Sequence, residues 1–344
     1  MIDTEKSPES SGGAGNVGLE ATGCVSNEMI RIRKIRRLTP MKKRIFTSFL
    51  SVLLLFSLCQ AEIVIHLKKK FIDTYKLKAT IAVNDFYIDK AHKKPNPPNK
   101  DGDLHIAGRS KTIGLPLVAE IMNAKHQPEA LDIVQKNEGS DLAVNVAGVW
   151  RIWCEHAGDD TQTQGEPVST ITTTNPPHVF EIHPVLKLGT LDLGDSLVPI
   201  DGYTYKTCQD AFYKYENTPC KIIPQKDTVT IETRGVGYNY AEFKIQLRED
   251  ESIQEVEDGY FVICKVLDLD DEIVSQKTRI VIAKGTKPAT YISRLTKDKT
   301  LHVIGIPRIN LSLVSWRVEN SDKNPDALNW NLPLEMILAA VIDE

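Results

Sequence analysis

This 344-residue chain predicts a mainly β protein of two small OB-like barrels, each made of three strands, a short helix and two strands, followed by a C-terminal helix. Three observations carry that expectation. Segments alternating apolar and polar residues, the period of a half-buried strand, recur from residue 76 to residue 320. A short helical segment follows the third strand, the element order of an OB-type barrel. The second half of the chain repeats that order, and a six-residue match, Val146-Ala147-Gly148-Val149-Trp150-Arg151 against Val303-Ile304-Gly305-Ile306-Pro307-Arg308, comes directly after the helix in each half.

Residues 1–40 are rich in Gly, Ser and Glu and lack apolar periodicity, so they are expected to be disordered or not translated. At Met41 a second beginning appears. MKKRIF is basic, TSFLSVLLLFSL is apolar, and Cys59-Gln60-Ala61 supplies small residues for cleavage, so 41–61 reads as a signal peptide. The alternative is a single N-terminal membrane anchor over Ile45 to Ile65, which Gln60 and Glu62 interrupt. Cleavage would give a periplasmic or secreted protein with no remaining membrane contact.

The first domain is expected over 76–190. Lys76 to Ile88 alternates as a strand, and AHKKPNPPNKDGD, with Pro95, Pro97 and Pro98, must be a surface loop. Two short strands follow, Asp103 to Gly108 and Pro116 to Ile121. Pro128 then starts a helix that Gly139 stops. DLAVNVAGVWRIWCEHA and HVFEIHPVLKL supply the last two strands, separated by a Thr-rich loop.

Residues 191–226 read as a connector with a helix over CQDAFYKYEN, Cys208 to Asn217, burying Ala211, Phe212 and Tyr215. The second domain, 227–320, takes TVTIETR, NYAEFKIQL and the hairpin YFVICKVLDLD/EIVSQKTRIVIA as strands. KPATYISRL is its helix, and TLHVIGIPR and INLSLVSWRV are its closing strands. In the tail, 321–344, Leu334, Ile337, Leu338 and Val341 form a helical stripe.

With 46 acidic against 42 basic residues the formal charge is −4, which argues against a general nucleic-acid binder. In an oxidising compartment Cys154, Cys208, Cys220 and Cys264 could form bridges. Cys208 and Cys220 flank a short segment with Pro219 and are the favoured pair, while Cys154 and Cys264 read as buried apolar residues.

Residues capable of site chemistry gather between Asp101 and Leu188, and six of the eight histidines lie from His92 to His183. Strand alternation puts Asp103 and His105 on one face, and likewise Glu181 and His183. If those faces meet beside Glu120 or His156, imidazoles and carboxylates converge in a set suited to a divalent metal. Such a site could activate water, with Glu120 and Arg151 as catalytic candidates and Arg109 and Arg151 facing an anionic transition state. The same histidines and acids have a structural reading, as ring donors to carbonyls and acceptors of turn amides. No HExxH, CxxC or GxSxG signature fixes ligands locally.

The segments DGDLH, VAEIMNA, GVWRIW and FEIHPVLKL resemble a group of short exported bacterial proteins in which Asp-x-Asp-x-His comes first and Glu-Leu-His-Pro-Val comes last; here Ile182 stands where Leu is usual. The resemblance covers the first domain and implies export and a barrel, with no activity to carry over. Two functions are therefore expected. The favoured one is a non-enzymatic exported binding protein that holds an extended ligand or protein partner near His105, Trp150, Trp153, His183 and Arg109; alternation allows at most one of the two indoles to project outward. The rival is a metal-assisted, nuclease-like hydrolase.

Overall fold

The computed structural model describes residues 62–158, 161–249 and 251–342. The expected disorder of 1–40 and the signal peptide at 41–61 lie outside the described residues. Among the described residues no helix is long and apolar enough to cross a membrane.

In chain order the elements are β1 (Glu62–Lys68), α1 (Lys69–Tyr75), β2 (Thr80–Ala91), β3 (Leu104–Arg109), β4 (Leu117–Ile121), α2 (Pro128–Asn137), β5 (Val144–Ile152), β6 (Gln162–Thr163), β7 (Phe180–Leu188) and β8 (Leu191–Asp192). There follow β9 (Lys206–Thr207), α3 (Cys208–Asn217), β10 (Cys220–Pro224), β11 (Thr228–Arg234), β12 (Ala241–Leu247), β13 (Ile253–Val256), β14 (Gly259–Leu267) and β15 (Ile273–Ala283). A 3-10 turn at Pro288–Arg294, β16 (Leu301–Ile309), α4 (Leu311–Glu319) and β17 (Leu334–Val341) complete the chain.

The protein is mainly β and contains two closed five-stranded barrels. The first runs β4-β3-β2-β5-β7 and closes where β4 lies parallel to β7. The second runs β14-β15-β17-β16-β12 and closes where β12 pairs with β14. Each has a three-strand meander, a fourth strand antiparallel to the first, and a fifth parallel to the third. The helical element sits between the third and fourth strands in both, as the OB order requires.

The second barrel is built from different segments than its sequence implies. Leu311–Glu319 is a helix rather than a strand: Asn310 caps it by accepting the Leu313 N–H at 2.9 Å, and Leu311 and Val314, one turn apart, are buried. The fifth strand is instead Leu334–Val341, where a C-terminal helix is expected. Every residue of that strand after Leu334 is buried. A strand covered on both faces loses its alternation and reads as a continuous apolar run, so periodicity cannot tell it from a buried helix.

Thr228–Arg234 also leaves the second barrel. It forms a separate sheet ordered β10-β11-β1-β6, in which β1 pairs antiparallel from Glu62↔Arg234 to Lys68↔Thr228. Ile63, Ile65 and Leu67 face inward there, each contributing about 1.5–3 kcal/mol of burial. The last residues of the alternative membrane span are thus a β-strand.

Cys208 and Cys220 are free buried thiols, not a bridge. Cys208 opens the ten-residue α3, about 15 Å long, and Cys220 opens β10 beyond its other end. A disulfide needs Cα atoms about 4.4–6.8 Å apart.

The repeated Val-x-Gly motif lies on the fourth strand of both barrels. Arg151 is in register with Glu181, and Arg308 with Glu335, each acid being on the fifth strand. Beside both glycines the pairing of strands four and five shifts register. A Cβ at Gly148 would come within 2.4 Å of the Pro184 carbonyl, and at Gly305 within 2.7 Å of the Phe243 ring. An apolar layer drawn from both barrels, with Met122, Val149 and Leu186 from the first and Ile304, Ile306 and Ile337 from the second, packs between them.

Candidate functional site

On β7, alternation puts Glu181 and His183 on the same outward face of the first barrel, and β4 delivers Glu120 beside them. The second barrel covers this face through Tyr240, so Asp103, Glu120, Glu181 and His183 are all buried to within 1 % of full burial. His183 Nδ1 is 3.1 Å from Glu120 Oε2 and 3.5 Å from Glu181 Oε2. Its Nε2 is 2.9 Å from the Tyr240 hydroxyl and 3.5 Å from Asp103 Oδ2. The Tyr240 hydroxyl donates to Asp103 Oδ2 at 2.7 Å. His178 adds a second imidazole, with Nε2 3.3 Å from Glu181 Oε1.

Electrostatics follow from this packing. Burial by itself would lower His183, but Glu120 and the Asp103 and Glu181 carboxylates outweigh it and hold the ring up at about 10. His178 is likewise raised, burial being outweighed by Glu181. Arg151 overcomes the effect of burial on Glu181 and keeps it well below the usual carboxylate range, donating to Oε2 at 2.5 Å. Burial dominates at Asp103 and lifts it to about 6. The Asp103, Glu120 and Glu181 carboxylates share one permanent cation, Arg151, which also serves Glu155, so further positive charge is needed beside them. Two imidazoliums supply it, and so would one divalent ion.

The second barrel shows that the fold does not need these groups. With Glu181 aligned on Glu335, the register partners Ala119↔Ile182 and Ile280↔Met336 match. Glu120 then corresponds to Val281, its cross-strand partner His105 to Phe261, and His183 to Ile337. The same topology therefore closes with apolar side chains at all three places. Buried charge where the sister barrel is apolar marks these groups as a candidate site.

Of the residues expected to meet, Asp103, Glu120, Glu181 and His183 do. His105 sits at the margin, with Nε2 3.8 Å from Glu120 Oε2 and its ring stacked on His92. His156 stays outside, half-buried and stacked on His178 at 5.3 Å. Arg151 does not face a substrate: it also donates to Glu155 and, at 2.9 Å, to the Pro307 carbonyl. Trp150 and Trp153 are both fully buried, so neither offers a ligand face; Trp150 Nε1 donates to the Lys78 carbonyl. His178 and Tyr240 are the residues that sequence reasoning missed. His178 lies before β7, beyond the reach of strand parity, and Tyr240 arrives from the other barrel with no local signal.

Arg109 belongs to a separate place. It is bound to Asp89 through two hydrogen bonds of 2.7 and 2.9 Å and lines an open cleft of about 520 Å³ together with Tyr87, Ser110, Lys111, Asp141 and Glu166. Gly114 and Gly165, both at positive φ, let two loops close one side of it through a 2.7 Å backbone hydrogen bond.

No family model matches the chain, and no curated protein matches it. A solved structure of a murine DNA-binding protein bound to double-stranded DNA aligns at 9% identity, covering 76% of this chain and 98% of that chain, with a TM-score of 0.19. A likeness at that level carries no argument about fold or function here.

Proposed function

We propose that this is a non-enzymatic exported binding protein whose first barrel takes a polar, extended ligand of the oligosaccharide type in the cleft at Arg109. The observation that carries the reading is the cleft itself. Its volume of about 520 Å³ is that of a ligand site, and it offers the Tyr87 ring beside Arg109, Ser110 and Lys111. Barrels of this topology bind oligonucleotides or oligosaccharides, an analogy of fold alone. Asp141 and Glu166 in the lining, with the net charge of −4, disfavour a polyanion and leave the sugar.

The hydrolase reading is weaker because its groups are sealed. Glu120 is 1 % exposed and Arg151 is not exposed at all, with its guanidinium committed to two carboxylates and a carbonyl. A glycan array probed with the purified protein, followed by titration of the strongest binder, tests the proposal. Tyr87→Ala and Lys111→Ala should each weaken that binding at least about tenfold, the loss of one good contact, and the glycan should be recovered intact. Cleavage of the glycan, or binding indifferent to both substitutions, contradicts the reading.

A further inference from the structure

His178 and His183 each engage one ring nitrogen outside the cluster and turn the other inward. His178 Nδ1 is 2.7 Å from the Pro176 carbonyl oxygen, which can only accept, so Nδ1 carries the hydrogen. His183 Nε2 meets the Tyr240 hydroxyl, whose own hydrogen goes to Asp103, so Nε2 donates. The inward atoms, His178 Nε2 and His183 Nδ1, make no hydrogen bond, and neither does Glu120 Oε2, which faces them.

The spacing of these atoms fits ligands of a shared ion. Glu120, His178 and Glu181 each offer an atom within 4.8 Å of the others, and His183 Nδ1 stands 3.1 and 3.5 Å from the two glutamates. Four atoms around one tetrahedral ion at about 2.0–2.2 Å are separated by about 3.3–3.6 Å. The outer bonds complete the pattern, since a metal-bound imidazole donates its other N–H to a carbonyl or a carboxylate. Pro176 supplies the first of these, and the Tyr240–Asp103 pair supplies the second.

We propose that Glu120, His178 and Glu181, with the His183 ring beside them, hold one divalent cation of the zinc type at the junction of the two barrels. Imidazole nitrogen and carboxylate oxygen suit zinc, and the full burial of these groups makes the centre structural. Asp103 and Tyr240 act as positioning residues for the His183 ring. The second barrel, with Val281 and Ile337 at the corresponding places, has no counterpart among the described residues. This proposal stands apart from the ligand cleft and does not depend on what the cleft binds.

The test uses the full chain, expressed with zinc in the medium and dialysed. Elemental analysis should give one zinc per chain, and X-ray absorption should show only nitrogen and oxygen ligands. His178→Ala and Glu120→Gln should abolish stoichiometric zinc, while His156→Ala, on the ring that stacks against His178, should retain it. Asp103→Asn should keep the site but lower its zinc affinity about 10–100-fold, as loss of an orienting partner does. Should the ligand variants fail to fold, wild-type protein refolded in a chelator answers alone, since added zinc should raise its Tm with concentration. Folded wild-type protein with no stoichiometric zinc and no thermal response overturns the proposal, and so does a spectrum with sulfur ligands.

Discussion

Arg151 and Arg308 occupy equivalent positions in the two barrels, and each donates to the backbone carbonyl that precedes the other: Arg151 Nε to Pro307 and Arg308 Nη1 to Trp150, both at 2.9 Å. A second exchange accompanies it. Tyr240 donates to Asp103 at 2.7 Å, and Thr80, at the corresponding place on the first strand of its own barrel, donates to Asp258 at 2.7 Å. The barrels therefore meet through a two-fold-like interface in which buried guanidiniums join one fifth-strand acid to the opposite barrel. Arg151→Ala strands Glu181 in a dry site, and Arg308→Ala removes a buried partner of Glu335 and the inter-barrel bonds. Each should cost about 3–5 kcal/mol, read from urea midpoints.

The N-terminal strand is part of the folded body. Ile65 is fully buried and in register with Ile231. Ile65→Ala should destabilise by about 2–5 kcal/mol in the same urea assay. A loss under 0.5 kcal/mol would mean that β1 does not pack there.

The four described cysteines are buried thiols. Burial pushes Cys208, Cys220 and Cys264 up to about 12, and Cys154 above the range of ordinary thiols. Because the thiolate is the reactive form, maleimide at pH 8 should leave all four unmodified in the folded protein and label them in guanidinium, as read by peptide mass spectrometry. A disulfide-linked Cys208–Cys220 peptide would contradict the structure.

The tryptophans divide sharply by exposure. Trp316 and Trp330, stacked with ring centroids 6.4 Å apart, are 44 % and 43 % exposed, whereas Trp150 and Trp153 are fully buried. Iodide should quench only part of the native emission, and that part should vanish in the Trp316→Phe, Trp330→Phe double variant.

Much of this was legible in the chain, and the failures have physical causes. Alternation located β2 to β5 and β7, Pro128 marked α2, and strand parity paired Glu181 with His183 and Asp103 with His105, while the meeting of those faces beside Glu120 was only a condition, and His105 sits at its margin. The order of the first barrel followed from those elements alone. The second barrel was harder because Leu334–Val341 is covered on both faces and Leu311–Glu319 is apolar enough to pass for a strand. β1 was hidden by its position directly after the apolar run TSFLSVLLLFSL. Trp150 and Trp153 were placed on a binding face because parity sorts faces without saying which of them another domain covers. The same blindness to distant packing concealed Tyr240, and the irregular backbone before β7 concealed His178.

The central claim is that the buried charged set serves a site and that the barrel does not need it. The most direct measurement grafts the second barrel's apolar residues onto the first, as His105→Phe, Glu120→Val and His183→Ile, with Asp103→Asn to remove the carboxylate that loses its His183 partner, and compares the unfolding free energy with that of wild-type protein refolded in a chelator. Replacing a buried ionic cluster by fitted apolar side chains is neutral or stabilising by about 1–4 kcal/mol. The account predicts a folded, cooperative variant at least as stable as that metal-free wild type and unable to retain zinc. An unfolded variant, or one several kcal/mol less stable, would show instead that the charges hold the barrel together.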